Sequence, residues 1–240
     1  MDFAQEELFD AIDRLLNGLL ERAGVAKPPV NALEIAENHL GIPVEVVDPV
    51  EEDERGRPRP RTRSSGSGIT LSPDMNEEQQ HRIAADGIAR ALLPDILRKL
   101  DVAPGNESKQ FSAHLRGLVV ARLLVPNKLL SAALKECRYD LLALKNVFTT
   151  APSETIALRL LDLDQPCAIS IVDDGIVMTR RANRFAATKK LEVAEQTCLD
   201  RVMELDLPCR TREGEWTVQG WPIPGRTIRR IILRAVPDDV

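Results

Sequence analysis

Apolar positions at Phe3, Leu8, Ile12, Leu15, Leu16 and Leu19 recur at close to helical spacing, which predicts an amphipathic helix from about Phe3 to Ala23. Gly24 and the Pro28-Pro29 pair end it. Asn31, an N-cap residue type, opens a shorter helix through Ala32, Leu33, Ile35 and Ala36 that stops at Gly41. Pro43-Val44-Glu45-Val46-Val47 then alternates as a strand does. Residues 51–67 read EEDERGRPRPRTRSSGS, an acidic block followed by an Arg/Pro block and a Ser/Gly run, and predict a mobile loop with nothing to bury. Gly68-Ile69-Thr70-Leu71 predicts a short strand. A long helix is expected from Ser72-Pro73-Asp74 to about Leu93, with Pro94 helping to end it. Another is expected from Lys109 to Leu124, and three shorter ones near 128–136, 139–147 and 153–161.

The pattern changes near residue 167. Ala168-Ile169-Ser170-Ile171-Val172 and Ile176-Val177-Met178 flank Asp173-Asp174-Gly175, and an Asp-Gly turn between alternating strands is a strong hairpin signal. A helix over about 186–205 and strands near 216–218 and 227–233 follow. The expected fold is therefore α+β and mainly helical. Residues 1–165 are expected to form a main domain, and residues 166–240 a small C-terminal α+β unit.

Composition narrows the function classes. Only 3% of the 240 residues are aromatic and the net charge is −5, so neither rows of stacking platforms nor a bulk basic surface for nucleic acid is present. The acidic residues after Met1-Asp2-Phe3 do not read as an export signal. No run approaches a membrane span. Cys137, Cys167, Cys198 and Cys209 are widely separated and read as reduced thiols, so the expected location is the cytoplasm.

One stretch carries candidate chemistry. Gln79-Gln80-His81-Arg82-Ile83-Ala84-Ala85-Asp86-Gly87-Ile88-Ala89-Arg90-Ala91-Leu92-Leu93-Pro94 resembles the active-site helix of the ImmA/IrrE metallopeptidases, which reads A-H-E-x-G-H-A-L-L. Val119-Val120-Ala121-Arg122-Leu123-Leu124-Val125-Pro126 is similar to that family's F-A-A-x-L-L-M-P block. Asp140-Leu141 through Phe148, Ser153-Glu154 and Arg159-Leu160 resemble its following helices, and 31–36 with 40–44 resemble its opening helix and strand. The resemblance covers about residues 30–180. It implies a zincin-like core, a helix-turn-helix-like segment at about 139–161, a zinc cofactor and action on transcriptional regulators.

The residues at the catalytic positions do not fit that chemistry. In H-E-x-x-H two histidines one turn apart hold zinc, and the glutamate activates its water. Here Asp86 stands at the first histidine, Gly87 at the glutamate and Arg90 at the second histidine. Residues 112–118, SAHLRGL, contain no acid where the resemblance places the third ligand. A guanidinium has no lone pair to offer a metal. Asp86 and Arg90, at i and i+4 with the acid nearer the N-terminus, predict an intrahelical ion pair. The expected protein is thus non-catalytic and without zinc, a scaffold that binds a protein partner such as a transcriptional regulator.

Two other readings compete with it. A remodelled metal site would use Asp86 and His114, with His81 roughly 140° round the helix from Asp86; surface histidines are the plainer account of His81 and His114. DNA binding would use the helix-turn-helix-like segment, where Glu154, Thr155 and Arg159 offer little to base edges, together with the arginine-rich part of 51–67. Towards the C-terminus, Arg230, Ile232 and Arg234 alternate with Ile231, Leu233 and Ala235. With Arg226 and Arg229 nearby, they predict a half-buried strand with one basic face, solvated in the plainer reading and otherwise meeting a partner or a phosphate. Trp216 and Trp221 are expected to cap a small core.

Overall fold

Asn31, with its side chain accepting from the Glu34 backbone N–H, starts α2 (Ala32–Glu34), which widens into a π-helical turn over Ile35–His39. It follows α1 (Gln5–Arg22), where Leu8, Ala11, Ile12, Leu16, Leu19 and Leu20, three or four positions apart, are buried along one face. The computed structural model describes residues 5–47, 68–102, 108–225 and 227–238. The expected loop at 51–67, Phe3 and Arg226 lie outside them. β1 (Val44–Val46) and β2 (Ile69–Leu71) form a parallel pair with Val44 opposite Ile69.

Next come α3 (Glu77–Lys99), α4 (Lys109–Leu124) and α5 (Asn127–Cys137). The start of α3 is a capping box. Asn76 accepts from the Gln79 N–H, and the Gln79 side chain takes the Asn76 N–H. Ser72-Pro73-Asp74 therefore precedes the helix rather than opening it. Pro94 does not end it either, since α3 continues to Lys99. An interior proline costs about 3 kcal/mol, by removing one hydrogen bond and crowding the carbonyl four residues back. Pro94 and Arg90 are both exposed, so water can serve that carbonyl. Beyond the proline, Ile96 and Leu97 are buried and hold the last turns to the core.

The described residues up to Lys135, with Val147–Ala151, form one compact unit, and Glu136–Asn146 with Pro152 onwards form a second. The second holds most of α6 (Leu141–Val147), all of α7 (Ser153–Arg159) with its 3-10 turn Leu160–Asp162, and a five-stranded antiparallel sheet. In sheet order the strands are β4 (Ile176–Ala182), β3 (Ala168–Asp173), β7 (Arg230–Pro237), β6 (Trp216–Ile223) and β5 (Cys209–Glu213). Asp174 at φ 48° and Gly175 at φ 82° make the two-residue hairpin turn between β3 and β4.

The expected boundary at residue 165 is too late. Trp221 Nε1 donates to Asp140 at 3.0 Å, and Asn183 Nδ2 donates to the Leu163 and Gln165 carbonyls at 2.9 and 3.0 Å. The helical residues before 165 thus belong with the sheet that follows. α8 (Val193–Leu205) covers one face of that sheet through Cys198, Leu199 and Val202. It begins seven residues later than expected from 186, because Glu192 and Glu195 form its capping box. β5 was not expected as a strand. Only Thr211 in it is buried, and Arg210 and Arg212 are exposed, which suits a charged sheet edge.

Candidate functional site

The positions at which the sequence resemblance places metal ligands and base lie on α3, facing α4 and β2. Arg90 Nε and Nη2 donate to Asp86 Oδ2 at 3.0 and 2.7 Å, the ion pair that the i, i+4 spacing predicts. A second guanidinium joins it from α4, with Arg116 Nη1 at 3.5 Å from Asp86 Oδ1. Two cations thus converge on the Asp86 carboxylate. All three side chains are partly exposed, so each pair contributes no more than about 1 kcal/mol.

Gly87 is where α3 approaches β2. A Cβ built there would lie 2.6 Å from Ile69 Cγ1 and 2.8 Å from Cδ1, and Ile69 is buried. The helix therefore rests on the strand at the position to which the sequence resemblance assigns a glutamate.

The two histidines weighed as candidate ligands differ in burial. His114 is exposed, and Arg116, about 200° further round α4, is the residue that reaches Asp86. His81 is buried rather than on the surface, because its Nδ1 accepts from the Ala32 N–H at 3.2 Å and so satisfies an orphan donor at the start of α2. Among the described residues, no three or more His, Cys, Asp or Glu side chains converge as metal ligands do.

His81 also gives a pH dependence. Burial pulls its imidazole below the ordinary value, with Glu77 opposing. The unfolded chain takes the proton near pH 6.5, while the folded chain resists to lower pH. The stability owed to the neutral ring is therefore complete above about pH 6.5 and is lost as pH falls from there towards the folded pKa. In His81→Asn the amide oxygen still accepts from Ala32 but does not titrate. The melting temperature should fall further between pH 7.5 and 5.5 for the parent chain than for His81→Asn, and equal falls would remove His81 as the cause.

Several buried charges carry no signal in the sequence. Arg122 is 1% exposed, stacks 3.9 Å over Phe9 and donates to Asp13 at 2.6 Å. Arg180 pairs with Glu195, both buried. Arg159, a base-reading candidate, is buried and paired with Asp162, while Glu154 is engaged by Arg230. These two side chains of α7 are committed to packing.

The expected solvated basic face of the last strand is not solvated. Arg230 grips Asp173 through Nε at 2.6 Å, contacts that raise the guanidinium above its ordinary value. Arg234 is 4% exposed, lies 4.1 Å over the Tyr139 ring and donates to Gln165 at 2.6 Å. Both faces of β7 are covered, so alternation there separates two interiors rather than interior from water. Trp221 is buried and Trp216 packs edge-on against Phe185 at 5.4 Å.

Among the described residues no single helix is long and apolar enough to cross a membrane. No family model matches the chain, and no curated protein does. Among solved structures, the chain is similar to a Mycobacterium tuberculosis transcriptional regulator, with a TM-score of 0.66 and 16% identity over 96% of this chain and 79% of that one. At that identity the likeness extends to the fold.

Proposed function

We propose that the chain is a non-catalytic, ImmA/IrrE-like protein with a zincin-like core that binds a protein partner, such as a transcriptional regulator, in the cytoplasm. The observation that carries this reading is the Asp86 carboxylate clamped by Arg90 and Arg116, beside a Gly87 backed onto Ile69. Two fixed cations stand where a divalent metal would have to sit, and the packing leaves little room for a carboxylate base. Metal-dependent hydrolysis needs three or four converging donors and an activated water, and neither requirement is met by Asp86, Gly87 and Arg90. The likeness to a protein named as a transcriptional regulator is compatible with a regulatory role.

Two measurements test this proposal. Protein purified without chelator should contain far less than one equivalent of transition metal, and added zinc should leave its thermal melt unchanged. A tightly held equivalent that raises the melting temperature would make the chain a metalloprotein. Affinity capture from the source cell should retain one regulator at close to equimolar ratio. Repeated capture that retains no protein would count against the scaffold, and affinity for duplex DNA that collapses with salt would favour a nucleic-acid reader instead.

A further inference from the structure

We propose that the cleft between α3 and α4 binds a phosphate group, as free phosphate or a small phosphomonoester. Arg90 and Leu93 line it from α3, and Lys109, Ser112 and Arg116 from α4, around about 430 Å³ of open space. That volume falls within the range of small-molecule sites. The spacing explains the convergence. Residues 90 and 93 are three apart, and 109, 112 and 116 are three and four apart, so each set occupies one face of its helix.

Charge then selects the ligand. Arg90, Lys109 and Arg116 bring three cations to the cleft, and among the described residues the carboxylate paired with them is Asp86. Among the described residues, two of these three positive charges have no carboxylate of their own, in a chain whose net charge is −5. A carboxylate ligand would neutralise one of them, whereas a phosphomonoester dianion neutralises both. The donor geometry agrees. Arg90 gives Nε and Nη2 to Asp86 and keeps Nη1, and Arg116 approaches Asp86 through Nη1 and keeps Nε and Nη2. Guanidinium forks fit phosphate oxygens, and the Lys109 ammonium and Ser112 hydroxyl add donors. Leu93 gives an apolar wall for a small organic group. Asp86 both orients the two guanidinium groups and competes with the incoming anion. The inference rests on these side chains and stands whether or not the chain is metallopeptidase-like.

The role of Asp86 makes the test directional. Inorganic phosphate and phenyl phosphate are titrated calorimetrically into the full chain, into Arg116→Gln and into Asp86→Asn, with melts of each unliganded variant to verify folding. One site is expected. Affinity should be weakened roughly tenfold in Arg116→Gln by loss of a charge-assisted bond and strengthened in Asp86→Asn, where the forks are released. Absence of binding at millimolar phosphate, or affinity indifferent to Arg116→Gln, would overturn the proposal. Weaker binding in Asp86→Asn would also overturn it, because Asp86 would then be contributing to binding rather than competing. Salt-sensitive binding of a short DNA duplex, with neither small phosphate bound, would assign the cations to a polymer and reject the small-ligand site.

Discussion

Glu195→Ala should be among the most damaging single substitutions in the chain, costing about 3–5 kcal/mol of unfolding free energy. The Arg180 and Glu195 side chains are 2% and 1% exposed. Arg180 Nε donates to Oε1 and Oε2 of Glu195 at 3.1 and 2.9 Å, and Nη2 lies 2.8 Å from Oε2. The same carboxylate accepts from Ser170 Oγ at 2.8 Å and from the Glu192 N–H at 2.9 Å. It therefore links β3, β4 and the first turn of α8. Truncating it strands a guanidinium away from water and leaves two further donors without their acceptor. A pair replaced together behaves differently, because desolvating two ions offsets much of their attraction. Arg180→Met with Glu195→Leu should lie closer to the parent than Glu195→Ala does, short of it by the lost cap, about 1 kcal/mol, and by the buried Ser170 hydroxyl left without its acceptor, about 1–3 kcal/mol. Urea unfolding of the three variants gives the comparison. A cost below about 1 kcal/mol for Glu195→Ala would place the pair in solvent.

That pair illustrates where sequence reading stops. The periodicity of α1, the Asp174-Gly175 turn and the i, i+4 relation of Asp86 and Arg90 are local, fixed within a few residues by helix or turn geometry, and each is legible. Arg180, Glu195 and Arg122 are charges in amphipathic segments, and such charges ordinarily face water. Their burial depends on partners 15 and 109 positions away, which no local pattern encodes. Pro94 and Arg234 failed for a related reason. Propensity and alternation describe an element with one wet side, but Ile96 and Leu97 hold α3 together beyond its proline, and β7 has two dry faces. Arg116 was within reach, since it lies in the stretch searched for an acidic ligand. A cation offers nothing to a metal, and its convergence on Asp86 depends on how α4 packs against α3.

The second large effect concerns Gly87. Gly87→Ala should destabilise by about 1–3 kcal/mol, although alanine has the better helix propensity, because its Cβ would fall 2.6 Å from Ile69 Cγ1. Ile69→Ala removes both clashing carbons at the cost of a cavity. In the double variant the two costs should therefore not add, and the double-mutant cycle should show relief of about 1 kcal/mol or more. The consequence for chemistry follows from the same contact. Building an H-E-x-x-H motif with Asp86→His, Gly87→Glu and Arg90→His would place a glutamate where an alanine already collides. It would also leave Arg116 pointing at the intended metal, with no acid in residues 112–118 to complete the ligand set. The triple variant is expected to melt below the parent, to hold zinc weakly and to cleave nothing. A stoichiometric zinc ion with a raised melting temperature in that variant would show that three substitutions alone separate this chain from a metal site. The expected result places the barrier in the packing of α3 on β2 and in the cation brought by α4, so that building a metal site there would require those contacts to be rebuilt first.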